Sequence, residues 1–306
     1  MQQDVPLLSV CMLSFNHERY VEEALRGALM QETNFPYEVV VHDDASTDDT
    51  QAILKAWQAQ YPDRLRLILQ TENQWSQGIL PLSKHVIPTL PSRYIAFCEC
   101  DDYWTDPTKL QRQVDLLEAN PALSFSAHDI DVIFEGDVPR KERFYPVPRT
   151  GDFTFTFADA FDNHFVAPPS IVVRTHLWRN RPRNPHSMVS GDIQSILWFL
   201  ANGPAHYSSR KMVVKRRHRG GITFNKEYNA TRREGAYENL HYIAQFAPAD
   251  QQARIKHKMA EYERMFVSRR QRTRRAPLIT LAFRALLHDP FWFFRRLVGV
   301  RLSPQS

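Results

Sequence analysis

The chain has 306 residues, of which 43% are hydrophobic, and its 39 Lys and Arg against 34 Asp and Glu give a net charge of +5. This length can bury a large core, so it fits either one large domain with an appendage, which we favour, or two modest domains. No apolar run approaches the roughly 20 residues that cross a bilayer, which argues against a membrane-spanning helix.

The positive charge is concentrated at the carboxyl end of the chain. Residues 251–306 carry 13 Lys and Arg against 3 Asp and Glu, whereas residues 1–250 carry 26 against 31. The first residues lack the basic start and apolar stretch of a signal peptide. The three cysteines show no metal-knuckle spacing, so they are expected to be core thiols in a reducing compartment. A cytoplasmic location is therefore predicted.

The first 120 residues alternate between strand and helix patterns. An apolar run at 7–15 predicts a strand covered on both faces, and apolar positions at helical spacing over 18–30 predict a crossover helix. The same rhythm continues through predicted strands at 37–42, 65–69 and 94–98, with predicted helices at 48–60, between 78 and 94, and at 106–118. Such alternation predicts a mostly parallel, right-handed, doubly wound sheet.

Beyond residue 120 the pattern becomes less regular. Further strands are predicted at 123–127, around 172–173 and at 212–215. A polar stretch over 129–152 predicts a long loop or hairpin, and a helix is predicted over 192–201.

An acidic segment follows the buried strand at 94–98, where Glu99, Asp101 and Asp102 precede Tyr103 and Trp104. Clustered carboxylates at the end of a buried strand are costly unless a positive charge neutralises them. We interpret the segment as a site for a hard divalent cation, whose coordination a nucleotide diphosphate would complete. The alternative is a solvated acidic turn, which would leave two large aromatic residues exposed beside like charges.

A second acidic pair, Asp43 and Asp44, ends the predicted strand at 37–42. Carboxylates accept hydrogen bonds from ribose hydroxyls and from nucleobase N–H groups, so a nucleoside is the predicted ligand. The hydroxyl-rich residues that follow, Ser46, Thr47 and Asp48, have a simpler interpretation as helix caps.

These motifs together resemble family 2 inverting glycosyltransferases of the GT-A fold. The resemblance covers about residues 5–225 and rests on three runs: Ser9-Val10-Cys11-Met12-Leu13-Ser14-Phe15-Asn16-His17, Asp43-Asp44-x-Ser46-Thr47-Asp48, and Glu99-x-Asp101-Asp102-Tyr103-Trp104. It implies an α/β GT-A fold, Rossmann-like, with a mostly parallel sheet between helices. The implied organisation is a nucleotide-sugar-binding half at 1–120, an acceptor-binding half at 121–225 and a helical region at 226–306.

The resemblance also implies roles for individual residues. Asp101 occupies the place of the principal metal ligand in the family's DxD motif, and Glu99, at the motif's first acidic place, is a second ligand for Mg²⁺ or Mn²⁺, directly or through water. The implied donor-binding residues are Asn16, Asp43, Asp44, Glu99, Asp102, His218 and Arg219.

Asp192 resembles the family's catalytic carboxylate. An inverting transfer needs one base to take the proton of the attacking acceptor hydroxyl, and Asp192 fits that role. From spacing alone, a carboxylate at the start of a helix is also explained by capping. On the acceptor side, His164, Pro168, Pro169 and Ser170 are weaker candidates.

The tail interleaves arginines with aromatic residues, as in Phe291-Trp292-Phe293-Phe294-Arg295-Arg296. This pattern is typical of a helix that lies in an anionic membrane interface, although packing on the body is an alternative. Nucleic acid is the poorer partner for this charge because the body is acidic. A peripheral position on the cytoplasmic face of the inner membrane is therefore expected.

The sequence thus predicts a metal-dependent inverting transferase that moves a hexose or N-acetylhexosamine from a UDP-sugar to a hydroxyl of a saccharide acceptor. The basic tail suggests that this acceptor is linked to polyprenyl diphosphate, as in O-antigen or capsule synthesis. Three alternatives are a sugar-phosphate nucleotidyltransferase, a nucleotide-sugar-binding protein without catalysis and a membrane scaffold. The first lacks its expected Gly- and Arg-rich phosphate loop near residues 14–17.

Overall fold

The computed structural model describes residues 5–140, 145–182, 184, 191–221, 224, 226–268 and 286–287. The chain divides into two compact units. The first contains residues 1–183 and 195–225, and the second contains residues 184–194 and 226–306.

The first unit begins with consecutive β-α-β crossovers. Their elements are β1 (Leu8–Ser14), α1 (Val21–Leu29), β2 (Tyr37–Asp43), α2 (Thr50–Gln60) and β3 (Leu65–Leu69). The three strands are parallel, with β1 beside β2 and β2 beside β3. Apolar residues of β1 and β2 are buried because helices cover the sheet, as the continuous apolar runs predicted.

Strand β4 (Tyr94–Glu99) pairs with the other side of β1, again in parallel. The connection that leads to it contains only short 3₁₀ or π turns, at Trp75–Gln77, Leu82–Val86 and Ile87–Thr89. The α-helix predicted between 78 and 94 was therefore wrong. Pro81, Pro88 and Pro91 interrupt this segment, and proline cannot supply the N–H that a continuing helix requires.

The central sheet has eight strands in the order β3-β2-β1-β4-β9-β6-β10-β8. The strands not yet introduced are β6 (Phe125–His128), β8 (Phe153–Phe155), β9 (Val172–Arg174) and β10 (Ala205–Ser208). Strand β9 is antiparallel to both β4 and β6, and β8 is antiparallel to β10. The sheet is therefore mostly parallel in its first half and mixed in its second, which gives the α/β architecture expected.

A second, three-stranded sheet lies beside the acidic segment. Its middle strand, β11 (Val213–Arg217), pairs antiparallel with β5 (Tyr103–Trp104) and parallel with β7 (Asp131–Phe134). Strand β7 falls within the stretch that was predicted as a long loop or hairpin. This small sheet holds the residues after Asp102 against a strand more than 100 positions away in sequence.

The remaining helices are α3 (Lys109–Ala119), α4 (Phe157–Asp162), α5 (Thr175–Arg179), α6 (Gly191–Ala201), α7 (Lys226–Ile243) and α8 (Gln252–Ser268). In the second unit α7 packs against α8, and the buried Tyr237 hydroxyl donates a 2.8 Å hydrogen bond to Glu263. No helix of the described residues is both long and apolar enough to cross a bilayer. The predicted interfacial tail at 269–306 lies outside the described residues, apart from positions 286–287.

Gly27 allows helix α1 to approach the backbone of β5. A Cβ atom at this position would lie 2.7 Å from the carbonyl oxygen of Trp104 and 2.8 Å from its amide nitrogen. Neither backbone atom can move without displacing the strand that follows Asp102.

We therefore expect Gly27→Ala to lower the free energy of unfolding by about 1–3 kcal/mol through overpacking, measured by urea denaturation. Gly191→Ala is the matched helical control, because a Cβ there would meet no atom within 4 Å. Equal stability of Gly27→Ala and wild type would contradict this close approach.

Candidate functional site

Three parallel strands end together at one edge of the central sheet. In the register of β1 with β2, Ser14 lies opposite Asp43, and in the register of β1 with β4, Leu13 lies opposite Glu99. The segments that follow these strands are therefore neighbours. They contain most of the residues predicted to bind the nucleotide, as expected for the carboxyl edge of an open α/β sheet.

The Asp43 and Asp44 carboxylates are buried and hydrogen-bonded within the protein. Asp43 accepts bonds from the Ser46 amide (3.0 Å), the Ser46 hydroxyl (2.5 Å) and the Gln51 side chain (2.7 Å). Asp44 accepts bonds from the backbone N–H groups of Gln74 (2.7 Å) and Trp75 (3.0 Å). A carboxylate has about four acceptor positions, so each retains capacity for a ligand donor.

Asn16 joins the ends of β1 and β2. It adopts a left-handed backbone conformation (φ 55°), which asparagine tolerates better than most residues. Its N–H donates to the Ser46 hydroxyl (2.8 Å) and its side-chain oxygen accepts from the Thr47 N–H (2.8 Å). The Asn16 side-chain oxygen is thus engaged internally, and its contact with a donor stays a prediction.

The three suggested helix caps divide between two roles. Asp48 accepts bonds from the Thr50 N–H (3.0 Å) and hydroxyl (2.5 Å) at the start of α2. The side-chain bonds of Ser46 and Thr47 instead connect the strand ends, and the N-cap position is Asp49, which makes no side-chain capping bond. The capping interpretation was therefore wrong for Ser46 and Thr47, whereas Asp48 bonds to the first residue of α2 from the position before the cap.

Asp102 forms an internal ion pair with a residue that the sequence analysis missed. Its carboxylate lies 2.7 Å from the Lys215 ammonium and accepts the Arg216 backbone N–H at 2.8 Å. The side chain of Asp102 is fully buried and that of Lys215 is 15% exposed. Binding of Asp102 to a nucleotide stays a prediction, which this pairing does not favour.

Lys215 is held in its charged form by the acidic segment. Burial disfavours the ammonium, but the charges of Asp102 and Glu99 raise the pKa of Lys215 well above its ordinary value. Burial also raises the pKa of Asp102, and the charge of Lys215, 2.7 Å away, opposes that rise and favours the ionised pair. The more distant Glu99 carboxylate lies 3.9 Å from the ammonium, and one of its oxygens is buried without a hydrogen-bond partner in the described structure.

Asp101 lies beside His218, with 3.1 Å between a carboxylate oxygen and Nε2 of the imidazole. Burial acts to raise the pKa of Asp101, but the hydrogen bond from His218 and the charges of His17 and Lys215 hold it well below its usual range. The Asp101 side chain retains 18% exposure. It is therefore an ionised carboxylate that remains partly accessible.

His17 completes this group and was also not singled out from the sequence. Its ring packs edge-on against that of His218 at 6.4 Å between centroids, and its Nδ1 is buried without a hydrogen-bond partner among the described residues. Gly220 allows the chain to turn tightly here, because a Cβ would lie 3.2 Å from the His218 ring. Arg219 points elsewhere and pairs with the exposed Asp137.

The residues at this edge fit a divalent cation that shares its coordination with a ligand. No group of three His, Cys, Asp or Glu side chains in the described parts of the chain is arranged to hold a metal. Mg²⁺, however, commonly uses one or two carboxylates together with substrate phosphates, so a large protein cage is not required. Asp101 supplies a hard anionic oxygen, which the 3.1 Å contact with His218 holds in position.

The other predicted residues lie farther along the chain. Asp192 is in the first turn of α6, in the part of that helix that belongs to the second unit, and its role as a base stays a prediction. His164 packs against Tyr145 at 5.6 Å between ring centroids. The carbonyl of Pro169 accepts a 3.2 Å hydrogen bond from the Trp104 indole, so this candidate acceptor segment contacts β5, the strand that follows Asp102.

The comparisons with known proteins agree with this architecture. The family model described as glycosyl transferase family 2 matches residues 9–179. The uncharacterized protein Rv1520 of Mycobacterium tuberculosis is 34% identical over 220 residues, which are 70% of this chain and 60% of that relative. The match thus spans less than two thirds of the relative's length.

A second relative is named as a glucosyltransferase. The UDP-Glc:alpha-D-GlcNAc-diphosphoundecaprenol beta-1,3-glucosyltransferase WfaP of Escherichia coli is 28% identical over 129 residues, which are 42% of this chain and 48% of WfaP.

Two solved structures share the fold. S. aureus TarS 1–349 in complex with UDP-GlcNAc superimposes with a TM-score of 0.63 at 18% identity, covering 94% of this chain and 80% of TarS. The mannosyltransferase PcManGT of Pyrobaculum calidifontis, in complex with GDP-Man and Mn²⁺, gives a TM-score of 0.56 at 14% identity, covering 99% of this chain and 80% of PcManGT.

Buried histidines near this edge make stability dependent on pH. Burial lowers the pKa of His17 and His42 below 6.5, and lowers that of His128 further. The unfolded chain therefore binds more protons than the folded chain as the pH falls through 6.5, so acidification favours unfolding.

We expect His42→Gln to reduce the loss of unfolding free energy between pH 7 and pH 5 by about 1 kcal/mol, measured by urea denaturation at each pH. The exposed His257 provides the control variant His257→Gln, which should follow the wild-type dependence. Identical pH profiles for His42→Gln and wild type would contradict the assignment of this proton uptake to His42.

Proposed function

Because the chain belongs to glycosyl transferase family 2, we propose that it transfers a sugar from a UDP-sugar to an acceptor hydroxyl with inversion at the anomeric carbon. The observation that carries the proposal is that Asp44, at the end of β2, and Glu99 and Asp101, at the end of β4, lie on either side of the end of β1. Asp101 is ionised, partly exposed and next to His218. Membership of glycosyl transferase family 2 makes sugar transfer the reaction that we assign to this arrangement.

The end of β2 would bind the nucleoside. Two backbone N–H groups hold the Asp44 carboxylate in one orientation, and its remaining lone pairs would accept a base N–H or a ribose hydroxyl. Asp43 fixes the adjoining loop through Ser46 and Gln51. UDP as the nucleotide is supported by the UDP-GlcNAc complex of TarS and by the UDP-Glc donor of WfaP.

Asp101 would hold Mg²⁺ or Mn²⁺ against the donor diphosphate, and Glu99 would reach the ion directly or through water. When bound, such an ion neutralises charge on the departing nucleoside diphosphate. His218 holds the Asp101 carboxylate in place through their 3.1 Å contact. The low pKa of Asp101 keeps that carboxylate anionic across the physiological range.

Asp192 would act as the general base. Inversion requires the acceptor oxygen to attack the face opposite the leaving diphosphate, and a carboxylate on the acceptor side can take the hydroxyl proton as the new bond forms. Asp192 lies in the first turn of α6, and acidic side chains are favourable at a helix N-terminus.

The proposed acceptor is a saccharide attached to polyprenyl diphosphate, used in the synthesis of a cell-surface polysaccharide such as O-antigen or capsule. The acceptor of WfaP is alpha-D-GlcNAc-diphosphoundecaprenol, a saccharide attached to a polyprenyl diphosphate. The arginine- and aromatic-rich sequence after residue 268 supports binding to an anionic membrane surface at the cytoplasmic face, where such lipids would be reached.

We expect Asp101→Asn to weaken Mn²⁺-dependent UDP binding at least tenfold, because the amide removes the anionic oxygen ligand. Isothermal titration with UDP, in Mn²⁺ and then in EDTA, measures this change. Asp137→Asn removes an exposed carboxylate and should bind UDP as wild type does. Wild-type affinity of Asp101→Asn in both buffers would refute Asp101 as the metal ligand.

We expect Asp192→Asn to retain UDP binding within about twofold while losing at least 100-fold in transfer rate, since general base catalysis contributes about 10²–10⁴-fold. Product formation is followed with a panel of UDP-sugars and acceptor saccharides. Asp115→Asn, which changes an exposed carboxylate on α3, is the control and should transfer normally. Unchanged transfer by Asp192→Asn would remove it as the base.

A further inference from the structure

Lys215 is the one lysine of the described residues that forms an ion pair with the acidic segment. Its ammonium is 2.7 Å from Asp102 and 3.9 Å from Glu99, and both Lys215 and Asp102 are shielded from solvent. The pairing of β11 with β5, in which Val214 lies opposite Tyr103, sets this position. The contact therefore follows from the register of the small sheet.

The cation inferred for this segment is therefore not its only source of positive charge. Three carboxylates at 99, 101 and 102 lie near one ammonium, so the formal charges of these four side chains sum to −2 before any ion binds. Asp102 has its hydrogen bonds satisfied by Lys215 and by the Arg216 N–H. Asp101, in contrast, has the side chain of His218 as its hydrogen-bond partner.

We propose that Lys215 is a permanent counter-cation of the acidic segment, which neutralises Asp102 and leaves Asp101 as the carboxylate available to an external divalent ion. This inference rests on the proposed function for the role of that ion. It assigns Lys215 as a positioning residue, which acts through Asp102 on the neighbouring Asp101. It also predicts that the segment is already ordered for the ion in the metal-free protein.

The charge balance makes two substitutions behave in opposite ways. Lys215→Met leaves Asp102 buried without its cation, so the excess negative charge rises from two to three. Asp102→Asn combined with Lys215→Met removes both charges and restores the excess to two. A purely steric role for the lysine side chain would affect both variants alike.

The matched control is Lys211→Met. Lys211 lies just before the same strand and pairs with Asp131 at 2.6 Å, but both side chains are more than half exposed. An exposed pair contributes little to stability, whereas removing one partner of a buried pair is strongly destabilising.

The first experiment measures thermal unfolding in EDTA and then in Mn²⁺ without nucleotide. We expect Lys215→Met to lower Tm by about 10 °C in EDTA, Mn²⁺ to recover part of that loss, and the double variant to remain within about 3 °C of wild type. Lys211→Met should also remain within about 3 °C. A double variant as unstable as Lys215→Met, or a Lys215→Met loss that Mn²⁺ does not reduce, would overturn the proposal.

The second experiment measures the Mn²⁺ concentration that half-saturates UDP binding. We expect Lys215→Met to need several-fold less Mn²⁺ than wild type, and the double variant to agree with wild type within about threefold. A tenfold greater Mn²⁺ requirement of the double variant would overturn the proposal, and this test applies even if Lys215→Met does not fold. Failure of wild type to bind UDP would refute the proposed function. The Tm values in EDTA would still test whether Lys215 is the counter-cation of Asp102.

Discussion

The alignment of three parallel strand ends determines where Asp44, Glu99 and Asp101 of the proposed donor site lie. Because Ser14 is opposite Asp43 and Leu13 is opposite Glu99, the loops after β1, β2 and β4 must share one edge of the sheet. A shift of one residue in either pairing would turn the buried apolar side chains of these strands to the opposite face. Core packing therefore fixes the geometry of the site.

That alignment also concentrates acidic groups, and the protein stabilises them in three different ways. Asp44 receives backbone N–H groups, Asp43 receives a serine and a glutamine, and Asp102 receives a lysine. Hydrogen bonds from backbone amides stabilise a carboxylate without a compensating charge, whereas a fully buried carboxylate beside two others is much more stable with a cation. Asp101 differs because its partner is a histidine and its side chain remains partly exposed.

The sequence was informative wherever the relevant signal was local. Apolar runs located β1, β2 and β4, and the acidic residues at their ends located the edge of the sheet that holds the candidate site. The connection between β3 and β4 was harder to predict, because Pro81, Pro88 and Pro91 interrupt the segment that was expected to form a helix. The start of α3 was also misplaced: Asp106 accepts the Thr108 N–H, and the helix begins at Lys109 with Thr108 as its cap.

Lys215 could not be found by the same reasoning because its role depends on tertiary structure. It lies 113 positions after Asp102, and a lysine near the end of a short strand is usually solvent-exposed. Only the pairing of β11 with β5 places it at the acidic segment.

The ion pair between Lys215 and Asp102 changes the electrostatic argument. Clustered carboxylates do not by themselves require a bound metal, since one of them has an internal partner. What favours an external ion is the remaining pair of charges, with Asp101 ionised, accessible and held by His218. A donor diphosphate would add negative charge at this edge, so a divalent cation between Asp101 and the diphosphate is the arrangement that lowers the electrostatic cost of binding.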